Sequence, residues 1–188
     1  MTVSARVGAW LCLALLGAAR TAAAMEVESA EANFEHHEYH IELSLLIDAP
    51  AARVEAVLRD YADYPSLDAS ILDAKVLERI DPSTILLYTK LHACSGPFCR
   101  TVNRVERVDE RPLELIAVVV PEQSDVSFGR TETTLTPVAE QTRVHYDTRV
   151  TPKFWVPFLI GRPLMLRTLE DASIRLFRGV EARAKATS

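Results

Sequence analysis

The ending of this chain limits its fold more than any other feature. Between residues 163 and 184, Leu166, Leu169, Ala172, Leu176 and Val180 recur at helical spacing, and Ile174 and Phe177 widen the stripe. Arg167, Glu170, Asp171, Arg175 and Glu181 fall elsewhere on the same helix. A stripe of that length must be buried, and the long elements read upstream of it are strands. Six strand-like runs precede it, over residues 71–80, 84–93, 100–108, 113–120, 125–135 and 142–150. Each is bounded by turn chemistry, such as Asp81-Pro82-Ser83, Ser95-Gly96-Pro97 and Pro121-Glu122-Gln123-Ser124. Connections this short join antiparallel neighbours, so the runs form a meander. The helix then has one large partner, a curved antiparallel sheet, and the fold class is α+β with helices on one face. The 188 residues and 48% hydrophobic content suit one domain with a sizeable core.

Upstream of the meander, residues 39–45 alternate apolar and polar, the period of a half-buried strand whose odd positions face the core. Asp48-Ala49-Pro50 signals a helix start, with Asp48 or Ala49 at the cap and Pro50 in the first turn. Val54, Val57, Leu58 and Tyr61 follow at helical spacing, and Pro65 predicts an end between residues 60 and 64. Residues 25–38 are acidic and aperiodic and read as a flexible lead-in. His36, His37 and His40 cluster at its end. Three histidines can ligate a metal, but in such a segment they are more often solvated, and no metal is assigned.

The first 24 residues read as a secretory signal peptide: Arg6 supplies the positive region, residues 7–19 an apolar run, and Thr21-Ala22-Ala23-Ala24 small residues for cleavage. The run is short for a membrane span. Removing Arg6 and Arg20 lowers Lys+Arg from 21 to 19 against 26 Asp+Glu, a formal net charge of −7, so nucleic acid is a poor partner. Cys94 and Cys99 remain, in Cys-Ser-Gly-Pro-Phe-Cys. An exported domain meets an oxidising compartment, which predicts a disulfide between them and a periplasmic location, with secretion beyond the cell as the fallback.

Residues 152–161, Pro-Lys-Phe-Trp-Val-Pro-Phe-Leu-Ile-Gly, place bulky apolar side chains in a segment that its prolines mark as a loop. Phe154, Trp155 and Phe158 either plug one end of the core or line a cavity mouth and present an apolar edge to a lipid surface, where tryptophan suits the interface.

The sequence contains no Gly-x-Ser-x-Gly, phosphate loop, dinucleotide-binding glycine pattern or zinc-protease helix, and no catalytic residue or cofactor is assigned. A cyclase or dehydratase needs an acid or base projecting into an apolar cavity. Candidates on the strands are His92, Arg104, Glu106, Arg130, Glu132, His145 and Tyr146. Parity places Val144, Tyr146, Thr148 and Val150 on the less polar face, which favours Tyr146 for the cavity over His145.

The run from Ile47-Asp48-Ala49-Pro50 through Asp60-Tyr61-Ala62-Asp63-Tyr64-Pro65, then Val76-Leu77-Glu78, resembles the opening of START-like (SRPBCC) domains of the polyketide cyclase/dehydrase and coenzyme Q-binding type. The apolar loop leading into a long helix fits the same pattern; the resemblance covers about residues 39–183, and the domain is expected over residues 39–184. It implies a helix-grip fold, a curved antiparallel sheet wrapped around the C-terminal helix with a hydrophobic cavity between them. The implied ligand-binding residues are Tyr61, Tyr64 and Leu67 from the first helical segments and Tyr146 from the last strand. Phe154, Trp155 and Phe158 join them from the loop, and Leu169 and Leu176 from the long helix. The favoured function is an exported carrier for a hydrophobic small molecule, such as a lipid, isoprenoid quinone or polyketide-like ring, with transient membrane contact. The alternatives are a cyclase or dehydratase acting on a similar ligand, and an envelope assembly module whose cavity its own side chains fill.

Overall fold

The computed structural model describes residues 24–95, 98–156 and 161–186. Eight strands form one antiparallel sheet: β1 (Glu26–Glu35), β2 (Glu38–Ile47), β3 (Ile71–Asp81), β4 (Thr84–Ser95), β5 (Phe98–Arg111), β6 (Glu114–Val119), β7 (Val126–Val138) and β8 (Gln141–Pro152). Their order in the sheet is β1-β2-β8-β7-β6-β5-β4-β3, so the meander from β3 to β8 closes onto β2. Two short helices, α1 (Ala51–Arg59) and α2 (Tyr64–Leu67), follow β2, and the long α3 (Gly161–Ala186) ends the domain. This is the helix-grip arrangement: an open curved sheet with α3 across its concave face.

The alternation expected in β2 is complete, with Tyr39, Ile41, Leu43, Leu45 and Ile47 all buried. The central part of that row packs with Val54, Leu58, Val144, Phe177, Val180 and Ala184 in one apolar core. α1 begins one residue later than the sequence suggests, with Pro50 itself in the capping position and extended (φ −62°, ψ 144°). α2 lies so close to α3 that a Cβ on Gly179 would fall 2.1 Å from the Leu67 carbonyl oxygen, an approach only glycine permits. No helix among the described residues is long and apolar enough to cross a membrane.

Two expectations are corrected. Residues 26–35 are not a lead-in but strand β1, paired along its length with β2. Its side chains are mostly exposed, so the strand is held by backbone pairing and by Glu28, which takes two hydrogen bonds from Arg143 and one from Ser44. Periodicity reports a strand only when one face is buried, and β1 buries little. His36 and His37 form its turn with β2, both at positive φ (51° and 68°), the geometry of a tight two-residue hairpin. The three histidines therefore do not converge: His36 and His37 are exposed at the tip, while His40 Nε2 lies 2.8 Å from Asp147 Oδ2.

The second correction is Glu181, placed by its sequence spacing away from the buried stripe. It is 8% exposed, and its carboxylate accepts the backbone N–H of Met25 at 2.9 Å and of Asp48 at 3.1 Å.

Candidate functional site

Along α3 the apolar stripe meets two different surroundings. Its C-terminal half, through Phe177, Val180 and Ala184, is fully buried. Leu169, Ala172 and Leu176, in the middle, are only partly buried because they face an open cavity of about 470 Å³ instead of the sheet. The cavity's far wall is the concave face of β4 to β8. Period-two geometry decides which side chains reach it: Leu87, Thr89 and Leu91 from β4, Arg104, Glu106 and Val108 from β5, and Leu115 and Ala117 from β6. Thr131 and Thr133 follow from β7, and Tyr146, Thr148 and Val150 from β8.

Most of this wall is apolar, but a polar band crosses it. Thr89 stands opposite Arg104 across the β4–β5 ladder, and Thr131 stands opposite Thr148 across β7–β8. The two threonine hydroxyls of the second pair satisfy each other at 2.7 Å. Thr89 has no such partner: the residue is 3% exposed, and its hydroxyl makes no hydrogen bond. Arg104 Nε lies 2.9 Å from Glu106 Oε2, yet its N–H does not aim at that oxygen, so the contact is an ion pair without an aligned hydrogen bond. Glu106 is 2% exposed, and a buried carboxylate needs such a cation beside it. An unpartnered hydroxyl and a guanidinium N–H out of line with its carboxylate thus stand opposite each other across one ladder on the cavity wall.

Tyr61 and Tyr64 form the wall beneath the first helices, their rings 5.5 Å apart. Tyr64 donates its hydroxyl to the Leu58 carbonyl at 2.7 Å, and burial raises its pKa, so it stays protonated. Tyr61 donates to Glu110 at 2.9 Å, with its pKa likewise raised, first by burial. Tyr146 packs edge-on against Phe177 with ring centroids 5.3 Å apart.

Toward the disulfide the cavity is lined by Phe154, His92, Cys94, Met165 and Thr168. The Arg100 guanidinium sits 4.6 Å from the centre of the Phe154 ring. Cys94 and Cys99, directly opposite each other in β4 and β5, are disulfide-bonded, and Thr168 of α3, whose hydroxyl donates to the Leu164 carbonyl at 2.9 Å, lies 3.4 Å from the Cys94 carbonyl. On the other side, Arg175 Nε meets Asp68 Oδ2 at 3.0 Å. Burial works against ionisation of Asp68, but hydrogen bonds from Ser70 and the Arg175 charge outweigh it and hold its pKa below the usual carboxylate value.

Of the residues expected to bind ligand, the fold brings Tyr61, Tyr64, Tyr146, Phe154, Leu169 and Leu176 to this one cavity. Leu67 does not line it; its side chain is buried in the packed core under α3. Trp155 does not line it either and is 83% exposed, while Phe158 lies outside the described residues. Among the acid and base candidates, Arg104, Glu106, His92 and Tyr146 line the cavity. His145, Arg130 and Glu132 sit at alternate positions on the opposite face, where Arg130 pairs with Glu132. The sequence reading passed over Thr89, Thr131 and Thr148. The signal was available for Thr89, which shares its parity with Ile85, Leu87 and Leu91.

Over residues 38–184 the sequence matches the family described as polyketide cyclase / dehydrase and lipid transport. The chain belongs to that family. Solved structures of similar fold include the Zhui aromatase/cyclase from Streptomyces sp. R1128, with a TM-score of 0.67 and 17% identity over 79% of this chain and 94% of that one. A START superfamily protein from Mycobacterium smegmatis gives 0.65 and 17% over 79% of this chain and 99% of its own. A STAR-related lipid transfer protein fragment from Xanthomonas axonopodis gives 0.59 and 14% over 83% and 98%. No curated protein matches the sequence significantly. At these identities the shared property is the fold, and the family's description joins two uses of a site for hydrophobic small molecules, chemistry and transport.

Proposed function

We propose that this family member is an exported carrier that holds one hydrophobic small molecule, with a hydrogen-bond-accepting oxygen at one end, in the cavity under α3. The observation that carries the reading is the wall itself: apolar side chains interrupted by the unpartnered Thr89 hydroxyl opposite the ion-paired Arg104, whose Nε–H is out of line with its carboxylate. A space of about 470 Å³ lies inside the range of roughly 300–1,000 Å³ typical of small-molecule sites. Apolar burial supplies the affinity, and a carbonyl, carboxylate or quinone oxygen placed between Thr89 and Arg104 fixes the orientation. The mouth between Phe154 and the disulfide tip admits the ligand, and the exposed Trp155 beside it suits transient contact with a lipid surface. The bonded Cys94–Cys99 pair is compatible with a periplasmic or extracellular setting.

A cyclase or dehydratase acting on a similar ligand is the second reading, and Glu106 is the observation that favours it: an ionisable group almost without solvent contact on the cavity wall. The carrier reading is preferred because Glu106 is engaged with Arg104, and Tyr64 and Tyr61 have their hydroxyl protons committed elsewhere. A ligand-free assembly module is the least supported, since the side chains of the described residues leave the interior open.

Native mass spectrometry of the processed domain from a periplasmic preparation, followed by denaturing extraction, tests the proposal. A co-purifying lipid, quinone or polyketide-like molecule near one per chain is expected. An apo mass that stays unchanged after incubation with lipid extracts and quinones contradicts it. Turnover of such a molecule that Glu106→Gln abolishes while binding persists moves the assignment to the enzyme.

A further inference from the structure

The buried Glu181 has no role in the cavity. It sits near the far end of α3, where its carboxylate gathers three donors from separate parts of the chain. Oε2 accepts the backbone N–H of Met25 at 2.9 Å, and Oε1 accepts that of Asp48 at 3.1 Å. Lys185 Nζ lies 3.2 Å from Oε1 and 2.9 Å from Asp48 Oδ2. Among the described residues, the charged groups in contact here are two carboxylates, Glu181 and Asp48, and one ammonium, Lys185. The central carboxylate, Glu181, is largely shielded from water, an arrangement that favours a further cation beside it.

Met25 is where the chain enters the domain. Its side chain packs against the apolar core, whereas Ala24 before it is exposed. Ala22 and Ala24 place small residues at the third and first positions before the Ala24–Met25 bond, the pattern that signal peptidases cut. Processing there converts the Met25 N–H into an α-ammonium ion, already 2.9 Å from a carboxylate oxygen.

From this coincidence we infer that the chain is cleaved between Ala24 and Met25, and that Glu181 is the built receptor for the new α-ammonium group. Hydrolysis of that peptide bond consumes one water and leaves a carboxylate on Ala24 and the ammonium on Met25. Before cleavage Met25 offers Glu181 one neutral N–H; afterwards it offers a cation with three donors, which adds one positive charge beside the two carboxylates. Met25, Asp48 and Glu181 already join the start of β1, the β2–α1 turn and the end of α3 at one point, and removal of the leader turns the Met25 contact into a charged one. The inference rests on the export half of the functional reading and is independent of any ligand.

Two measurements test it. The full-length chain is expressed in a bacterium with an intact export system, and the exported product is analysed by intact mass and N-terminal sequencing. A product beginning at Met25 is expected; one that keeps the leader, or begins at another residue, overturns the cleavage. Separately, a chain beginning at Met25 is compared with one extended by Ala24 alone, each with and without Glu181→Gln. The extension is expected to lower the thermal midpoint by about 2–4 °C in the Glu181 chain and to have little effect in the Glu181→Gln chain. The folded α-amine, held above its ordinary pKa of roughly 8 by the carboxylate, stabilises fully below that pH. The difference between the two chains is therefore expected to vanish as pH rises through its folded value. Equal midpoints at pH 7, or an extension effect that survives Glu181→Gln, overturn the receptor role even if cleavage is confirmed.

Discussion

The two ends of the space between α3 and the sheet are built from the same kinds of residue and end in opposite states. At one end, Ile41, Leu43, Leu45 and Ile47 of β2 meet Phe177, Val180 and Ala184 of α3 with no solvent contact to speak of. At the other, Leu169, Ala172 and Leu176 face Leu87, Ala117 and Thr133 across an open cavity. The packed end is stapled by elements that cross it, α1, α2 and the Gly179 approach to Leu67. Among the described residues, the hollow end is bridged at its edge by the Arg175–Asp68 ion pair and the approach of Thr168 to the Cys94 carbonyl. An apolar stripe thus guarantees that a helix is covered, but not that it is covered by protein; the packed end holds the sheet in shape, which lets the other end stay empty.

If that division is right, truncating one leucine at each end gives unequal costs. Leu45→Ala is expected to destabilise by about 2–5 kcal/mol in chemical denaturation, because it opens a void in close packing. Leu169→Ala enlarges a space that already exists and should cost under about 1 kcal/mol. Similar losses at both ends would mean that the cavity collapses or fills in solution.

The next effect concerns the hollow end alone. Arg104→Met leaves Glu106 without its cation, and about 2 kcal/mol of stability should be lost, less than for a fully buried pair because Arg104 is partly solvated. Adding Glu106→Gln should recover most of it, a result that urea midpoints for the single and double variants can check. Thr89→Val is expected to move the other way: removing an orphan hydroxyl leaves the apo protein unchanged or stabilises it by up to about 1 kcal/mol. The same variant should bind an oxygen-headed ligand several-fold more weakly by titration.

The smallest effect lies outside both ends, on β1. Arg143 and Ser44 hold the exposed Glu28 carboxyl at a pKa of about 2, well below its ordinary 4.5. A carboxyl with a depressed folded pKa stabilises fully above its unfolded value and loses that contribution as pH falls toward the folded one. The thermal midpoint should therefore drop between pH 5 and 2 with a component that Glu28→Gln removes. An identical pH profile in the variant would show that the β1 strap contributes nothing.

The order of elements and the strand pairing were legible because each hairpin carries its own turn chemistry and each buried face its own period. The family resemblance then supplied the helix-grip arrangement and the cavity. What stayed hidden follows from the same physics. β1 has no buried face to create a period, so acidic residues 26–35 read as a tail. Leu67 and Leu169 look alike in sequence, and only Gly179, which draws α2 onto α3, decides that one is sealed in the core. Thr89 shares the parity of Leu87 and Leu91, which turns it inward, but its missing partner is a fact of three dimensions. Glu181 reads only as a charge off the apolar stripe because its donors, Met25 and Asp48, come from the other end of the chain.

The central claim, that the hollow end is the binding site, is tested most directly by filling it. Ala117 lines the cavity with little side chain of its own, so Ala117→Phe projects a ring into open space. Titration of the fluorescent probe 1-anilinonaphthalene-8-sulfonate, an apolar ring system with an anionic oxygen group, into the parent and this variant compares the two. The account predicts one saturable site in the parent and none in the variant, with the thermal midpoint retained. Equal binding by both, or no binding by the parent, would contradict it.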